Sequence, residues 1–153
     1  MSLRILSVGY VILVMVVIAT GVSAQSLQDR KMQQSDDKML AAEIAYTNQL
    51  CHSNIEATVD WQSFSTENFA AAARPLESCD AVLGAIESIC ADQIGQKAVS
   101  QHITHVVCVK GASREVDLKQ GTLFFQIEGS LSDNFQFVRE YLIGEVADLV
   151  AEE

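Results

Sequence analysis

The residues of this sequence that are best able to do chemistry are four cysteines and three histidines. The cysteines show no C-x-x-C spacing, which argues against a thioredoxin-like redox motif, and no closely spaced pairs of the kind found in structural zinc sites. An even number of cysteines in an exported chain favours two disulfides. We therefore predict that Cys51, Cys79, Cys90 and Cys108 are structural, and we expect neither a metal nor a cofactor.

Cys51 is followed directly by His52, and a cysteine–histidine pair can supply a nucleophile and its base. Such a pair must meet in space with the thiol free, whereas adjacent side chains usually diverge and an oxidising compartment favours a disulfide. A hydrolase or redox enzyme that uses Cys51 and His52 is therefore the least favoured of three functional hypotheses, and we predict no catalytic residue.

His102 and His105 lie three residues apart, a spacing that places two metal ligands on one face of a helix. Here the sequence predicts that His102 ends a helix and that His105 lies in a strand, which disfavours a metal site formed with an aspartate. The sequence also contains no G-x-S-x-G, H-E-x-x-H, glycine-rich phosphate loop or dinucleotide fingerprint. These observations argue against an enzyme.

The first 24 residues form a separate segment, with Arg4 as the single charged residue, an apolar stretch, and small residues before Ala24. This pattern predicts a signal peptide, residues 1–24, and a secreted or periplasmic protein. The alternative is an uncleaved anchor, because the 20 residues of 5–24 are about the minimum that spans a bilayer. Membrane association is expected only in that case.

The part that follows residue 24 is acidic, with 9 basic and 20 acidic residues and a net charge of −11. Such a surface repels nucleic acid, and the sequence has no basic stripe with aromatic residues, so we exclude nucleic-acid binding. We predict a flexible leader at 25–35 and a single α+β domain at 36–153.

The remaining patterns predict a small α+β fold. Residues 55–61 alternate as in a half-buried strand, Pro75 begins the main helix, and Asp92 caps a shorter helix that ends near residue 101. Residues 103–109 are apolar on both faces, as in a central strand, and 134–150 form a closing helix. Together they predict a mostly antiparallel sheet of about four strands, with helices packed on one face and disulfides that staple them.

The sequence also predicts a hairpin around Gln120–Gly121, and its register can be deduced. The apolar residues fall on one face when the opposed pairs are Lys119 and Thr122, Leu118 and Leu123, and Val116 and Phe125. Phe124 then lies on the other face, opposite Asp117, where it is a candidate partner-binding residue. The alternative is a second small cluster covered by an N-terminal helix, which the sequence predicts from Ser35 to about Leu50. An open sheet edge is a further binding mode.

Cys79 and Cys90 lie on one predicted helix, about 16 Å apart along its axis, whereas a disulfide needs Cα atoms within about 7 Å. If this helix joins 55–61 and 103–109 as parallel strands, the pairs are Cys51–Cys90 and Cys79–Cys108. The alternative is Cys51–Cys79 with Cys90–Cys108, and a Cys79–Cys90 bond would require a broken helix.

Two functional hypotheses are favoured over the enzyme hypothesis. The first is an exported, non-catalytic domain that binds a protein partner or an envelope component. The second is a small-ligand carrier with an apolar pocket between sheet and helices.

Overall fold

Four helices and a four-stranded sheet make up the part of the chain that the computed structural model describes, residues 27–64, 75–128 and 133–151. The α+β class is therefore confirmed, whereas the predicted signal peptide lies outside the described residues. None of the described helices is both long and apolar enough to cross a membrane. In chain order the elements are α1 (Leu27–Cys51), β1 (Glu56–Val59), α2 (Pro75–Ile89), α3 (Gln93–His102), β2 (His105–Lys110), β3 (Glu115–Lys119), β4 (Thr122–Ile127) and α4 (Asn134–Ala151).

Two helix starts lie where the sequence predicts them. α2 begins at Pro75, whose fixed φ and missing N–H suit a first helical position. α3 follows Asp92, whose extended backbone and side chain form an N-cap, with the carboxylate accepting a hydrogen bond from the Gly95 N–H at 2.8 Å.

α1 begins at Leu27, so residues 27–35 of the predicted leader at 25–35 are helical in the structure. Residues 27–35 contain no glycine or proline and are rich in glutamine, lysine, arginine and methionine, which favour helix. The prediction depended on an apolar stripe, and this polar helix end has none.

The sheet has the strand order β1-β2-β4-β3 and is mixed rather than mostly antiparallel, which corrects the predicted arrangement. β1 pairs with β2 in parallel, β2 pairs with β4 in parallel, and only β3 and β4 are antiparallel. The hairpin register itself is the predicted one, with Lys119 opposite Thr122 and Val116 opposite Phe125.

Burial explains why β4 rather than β3 lies beside β2. β4 places Leu123, Phe125 and Ile127 in the core and Phe124 on the other face, so both of its faces suit an interior position. β3 contributes Glu115, Asp117 and Lys119, and charged strands suit the edge of a sheet.

One core lies between the helices and the sheet face that carries Cys108. Its fully buried members come from all four helices and from β2 and β4, and include Cys51, Leu83, Ile86, Val99, Val106, Phe125, Val138 and Leu142. Two disulfides, Cys51–Cys90 and Cys79–Cys108, join α1 to the end of α2 and α2 to β2. This pairing is the predicted one, and it leaves no free cysteine.

Candidate functional site

The sheet face opposite the helices carries Phe124 near its centre. The strand registers place one row across this face, Thr58, Val107, Phe124 and Asp117, and beside it Val109, Gln126 and Glu115. Val107, Val109 and Phe124 are half-buried and none of them belongs to the hydrophobic core. This surface, which we call the Phe124 face, therefore has an apolar centre with polar and charged residues around it.

Charged pairs lie at the rim of the Phe124 face. The Lys119 Nζ lies 2.6 Å from the Asp117 Oδ2, and this hydrogen bond and the negative charge of Asp117 raise the pKa of Lys119 above its ordinary value. Both side chains are exposed, so the pair contributes little to the stability of the fold.

His105 forms the cluster on this face that most resembles a catalytic arrangement. Its Nδ1 lies 2.9 Å from the Thr104 hydroxyl, and its Nε2 lies 3.6 Å from the Glu56 Oε2. The Thr104 hydroxyl also lies 3.1 Å from the Gly121 carbonyl, to which it can donate its single proton, so the donor between Thr104 and His105 depends on the histidine tautomer. Both His105 and Glu56 are largely exposed, so the cluster has no pocket that excludes water.

The other candidates for chemistry are separated in space or occupied. The Cys51 sulfur is bonded to Cys90, so it offers no thiolate beside His52, which is exposed and has a left-handed backbone after the helix end. His102 ends α3 and His105 begins β2, as predicted. Among the described residues, no group of three histidine, cysteine, aspartate or glutamate side chains is arranged to hold a metal ion.

The two edge strands of the sheet, β3 and β1, make different contacts with the helices. On the β3 edge, the Leu118 N–H donates a hydrogen bond to the Tyr141 hydroxyl of α4 at 2.7 Å. Partial burial raises the pKa of Tyr141, whereas this backbone hydrogen bond lowers it, and the net pKa is above the ordinary value. The Arg114 guanidinium lies 4.3 Å from the centre of the Phe137 ring, which also holds the start of β3 to α4.

On the β1 edge, an asparagine side chain takes the place of a neighbouring strand. The Asn48 Oδ1 accepts a hydrogen bond from the Ile55 N–H at 2.6 Å, and its Nδ2 donates one to the Ile55 carbonyl at 2.9 Å. These are the two bonds that a paired strand would make with Ile55. No local motif in the sequence predicts this role, because the two residues lie seven positions apart.

Beyond Ile55, three backbone groups of the β1 edge have no partner among the described residues. The N–H groups of Glu56 and Asp60 point to β2, where they bond the carbonyls of Thr104 and Cys108. Because alternate residues of a strand turn their backbone groups to opposite edges, those of Ala57 and Val59 point outward. The Val59 carbonyl accepts a hydrogen bond from the Trp61 N–H, which leaves the Ala57 N–H, the Ala57 carbonyl and the Val59 N–H.

A groove of about 300 Å³ lies beside these three groups, between α1 and β1. It is lined mainly by apolar residues from both elements: Leu40, Ala41, Ile44, Ala57, Val59 and Trp61, with Thr58 and Asp37. We call it the β1 groove. It borders the core, because Leu40 belongs to the core cluster and Ile44, Ala57 and Val59 pack against it.

Comparison of the chain with known protein families, with curated proteins and with solved structures gives no match.

Proposed function

We propose that this protein is an exported, non-catalytic domain that binds a protein partner through the Phe124 face. The observation that carries the proposal is the position of Phe124, half-buried between Val107 and Asp117 on the sheet face that faces away from the helical core. Aromatic residues at the centre of a surface with a polar rim are typical binding anchors.

Export is the second part of the proposal. Two disulfides are typical of an oxidising compartment, and the acidic chain with a predicted signal peptide at 1–24 fits a secreted or periplasmic protein. Mass spectrometry of the exported chain tests this directly, and we expect the mature protein to begin at Gln25.

The binding proposal is tested by photo-crosslinking in the producing cell. A photoreactive phenylalanine analogue at position 124 should give a defined adduct with one partner, whereas the analogue at the exposed Gln101 of α3 should not. The partner is then purified and its affinity for the protein is measured in solution.

A matched pair of variants tests whether Phe124 is the anchor. Phe124→Ser should raise the Kd for the purified partner by at least about tenfold, as expected for loss of an aromatic anchor. Phe135→Ser makes the same change at an exposed phenylalanine of α4, and it should leave the Kd within about twofold. Equal effects of the two variants, or no adduct from position 124, would contradict the proposal.

A further inference from the structure

The β1 edge offers a limited set of hydrogen-bonding groups to an incoming strand. Among the described residues, the Ala57 N–H, the Ala57 carbonyl and the Val59 N–H are unpaired, whereas Asn48 closes the edge at Ile55 and Trp61 closes it at the Val59 carbonyl. These three groups span three residues of β1. A short extended segment, which rises about 3.3 Å per residue, can therefore place its own backbone groups opposite them.

The β1 groove lies where the side chains of that segment would point. A strand added beside β1 sends every second side chain toward α1, whose Leu40, Ala41 and Ile44 line the groove. The half-buried Trp61 lies at the end of β1 and supplies an aromatic wall. The volume of the groove is at the lower end of the range for ligand sites. The groove therefore suits a few apolar side chains rather than a large molecule.

The charge of the site favours a basic segment. Asp37 is exposed and lines the groove, and the chain as a whole carries a net charge of −10. A lysine or arginine on the incoming segment would therefore be attracted to this site, and an acidic segment would be repelled.

We propose that the β1 edge and the β1 groove bind an extended segment of a partner protein that is apolar at alternate positions and carries a lysine or arginine beside Asp37. The segment adds a fifth strand to the sheet through the backbone groups of Ala57 and Val59. This site shares Thr58 with the Phe124 face. The inference does not depend on the function proposed for that face.

The test uses the oxidised protein and an eight-residue peptide of alternating valine and threonine with a lysine at each end. Nitrogen-15 NMR should show the largest shifts at the amides of Ala57 and Val59 as the peptide is added. Replacing both peptide lysines with glutamates should raise the Kd by at least about threefold, because the acidic groove repels them.

A matched pair of variants locates the binding site. Ala41 and Ala42 are both exposed on α1, but only Ala41 lines the groove. Ala41→Gln should raise the Kd for the peptide by about tenfold, equivalent to about 1.4 kcal/mol, whereas Ala42→Gln should leave it within about twofold.

Three results of the peptide experiments would overturn the inference. These are no shift at the amides of Ala57 and Val59, equal affinity of the two variants, and equal affinity for the lysine and glutamate peptides. Dilution of the protein without peptide supplies a further check. A concentration-dependent shift at these amides would mean that a second copy of the chain occupies the edge, which also overturns it.

Discussion

Gly121 has a left-handed backbone, with φ at +80°, in the turn that joins β3 to β4. A Cβ added there would lie 2.8 Å from the Thr104 Oγ1, so the position needs glycine for both conformation and space. Gly144, in α4, has no heavy atom within 4 Å of the same added Cβ. The two glycines therefore differ in what an alanine would meet.

We expect Gly121→Ala to lower the free energy of unfolding by about 1–2 kcal/mol, because alanine is strained at positive φ. Gly144→Ala should raise it by about 0.5–1 kcal/mol, because alanine favours the helix interior. Urea denaturation of the two variants measures both changes. If the two variants changed the free energy of unfolding in the same direction, this explanation would be wrong.

Tyr141 gives the protein a pH dependence in the alkaline range. Its pKa is raised above 10.0, chiefly by burial, so the folded state holds the phenol proton more tightly than the unfolded state does. The resulting stability is fully present below pH 10 and is lost as the pH rises toward the folded pKa. Lys119, whose pKa is also raised, acts in the same direction.

We expect Tyr141→Phe to reduce the fall in unfolding free energy above pH 10. At pH 7 the variant should lose about 0.5–1.5 kcal/mol, because the Leu118 N–H loses its acceptor. Urea denaturation at several pH values, with Tyr46→Phe as the control at a largely exposed tyrosine, separates the two effects. A variant that keeps the full alkaline fall would contradict the role of Tyr141.

At the scale of elements, the end of α1 and the start of β1 are held together by Asn48. Besides its two bonds to Ile55, the Asn48 Oδ1 accepts a hydrogen bond from the Ser53 hydroxyl at 2.9 Å. One side chain therefore orders the connection between the helix and the edge strand and also covers part of that edge.

We expect Asn48→Ala to lower the free energy of unfolding by about 1–3 kcal/mol, because the Ile55 backbone groups lose their partners. The control is Asn54→Ala, at an exposed asparagine of the same connection, which should change stability by less than about 0.5 kcal/mol. Thermal denaturation compares the two variants. Similar melting temperatures for the two would show that Asn48 does not stabilise this edge.

Elements whose stability is local could be predicted from the sequence. Pro75 and Asp92 mark helix starts through their own backbone and side-chain chemistry, and the β3–β4 register follows from a two-residue turn and alternating apolar residues. The length of α2 excluded a Cys79–Cys90 bond, and the expectation that this helix joins two parallel strands then favoured the observed pairing.

Features that depend on competition between distant segments could not be predicted in this way. The β3–β4 hairpin can join β2 through either of its strands, and the greater burial of β4 decides the order only once the core exists. The β1 groove and the contacts of Asn48 likewise arise from the position of α1 beside β1. The sequence indicates Phe124 as a surface aromatic, but it contains no local signal for the groove.

At the scale of the whole molecule, two covalent links tie the helical layer together and to the sheet. Cys51–Cys90 closes a separation of 39 residues and Cys79–Cys108 one of 29 residues, and all four cysteines are buried. Loop-closure entropy predicts about 3.5–4 kcal/mol of stabilisation from each link, with measured values more often near 2–4 kcal/mol. Small domains have about 5–15 kcal/mol in total, so both links together are a large fraction of it.

We therefore expect reduction of both disulfides to lower the free energy of unfolding by about 4–8 kcal/mol, enough to unfold much of the protein at 37 °C. Urea denaturation with and without reductant measures the total, and the double variants Cys51→Ala with Cys90→Ala and Cys79→Ala with Cys108→Ala measure each link. The two double variants should be destabilised to similar extents, because loop entropy depends only on the logarithm of loop length. If the reduced protein keeps the urea midpoint of the oxidised protein, the disulfides are dispensable for stability and this prediction is wrong.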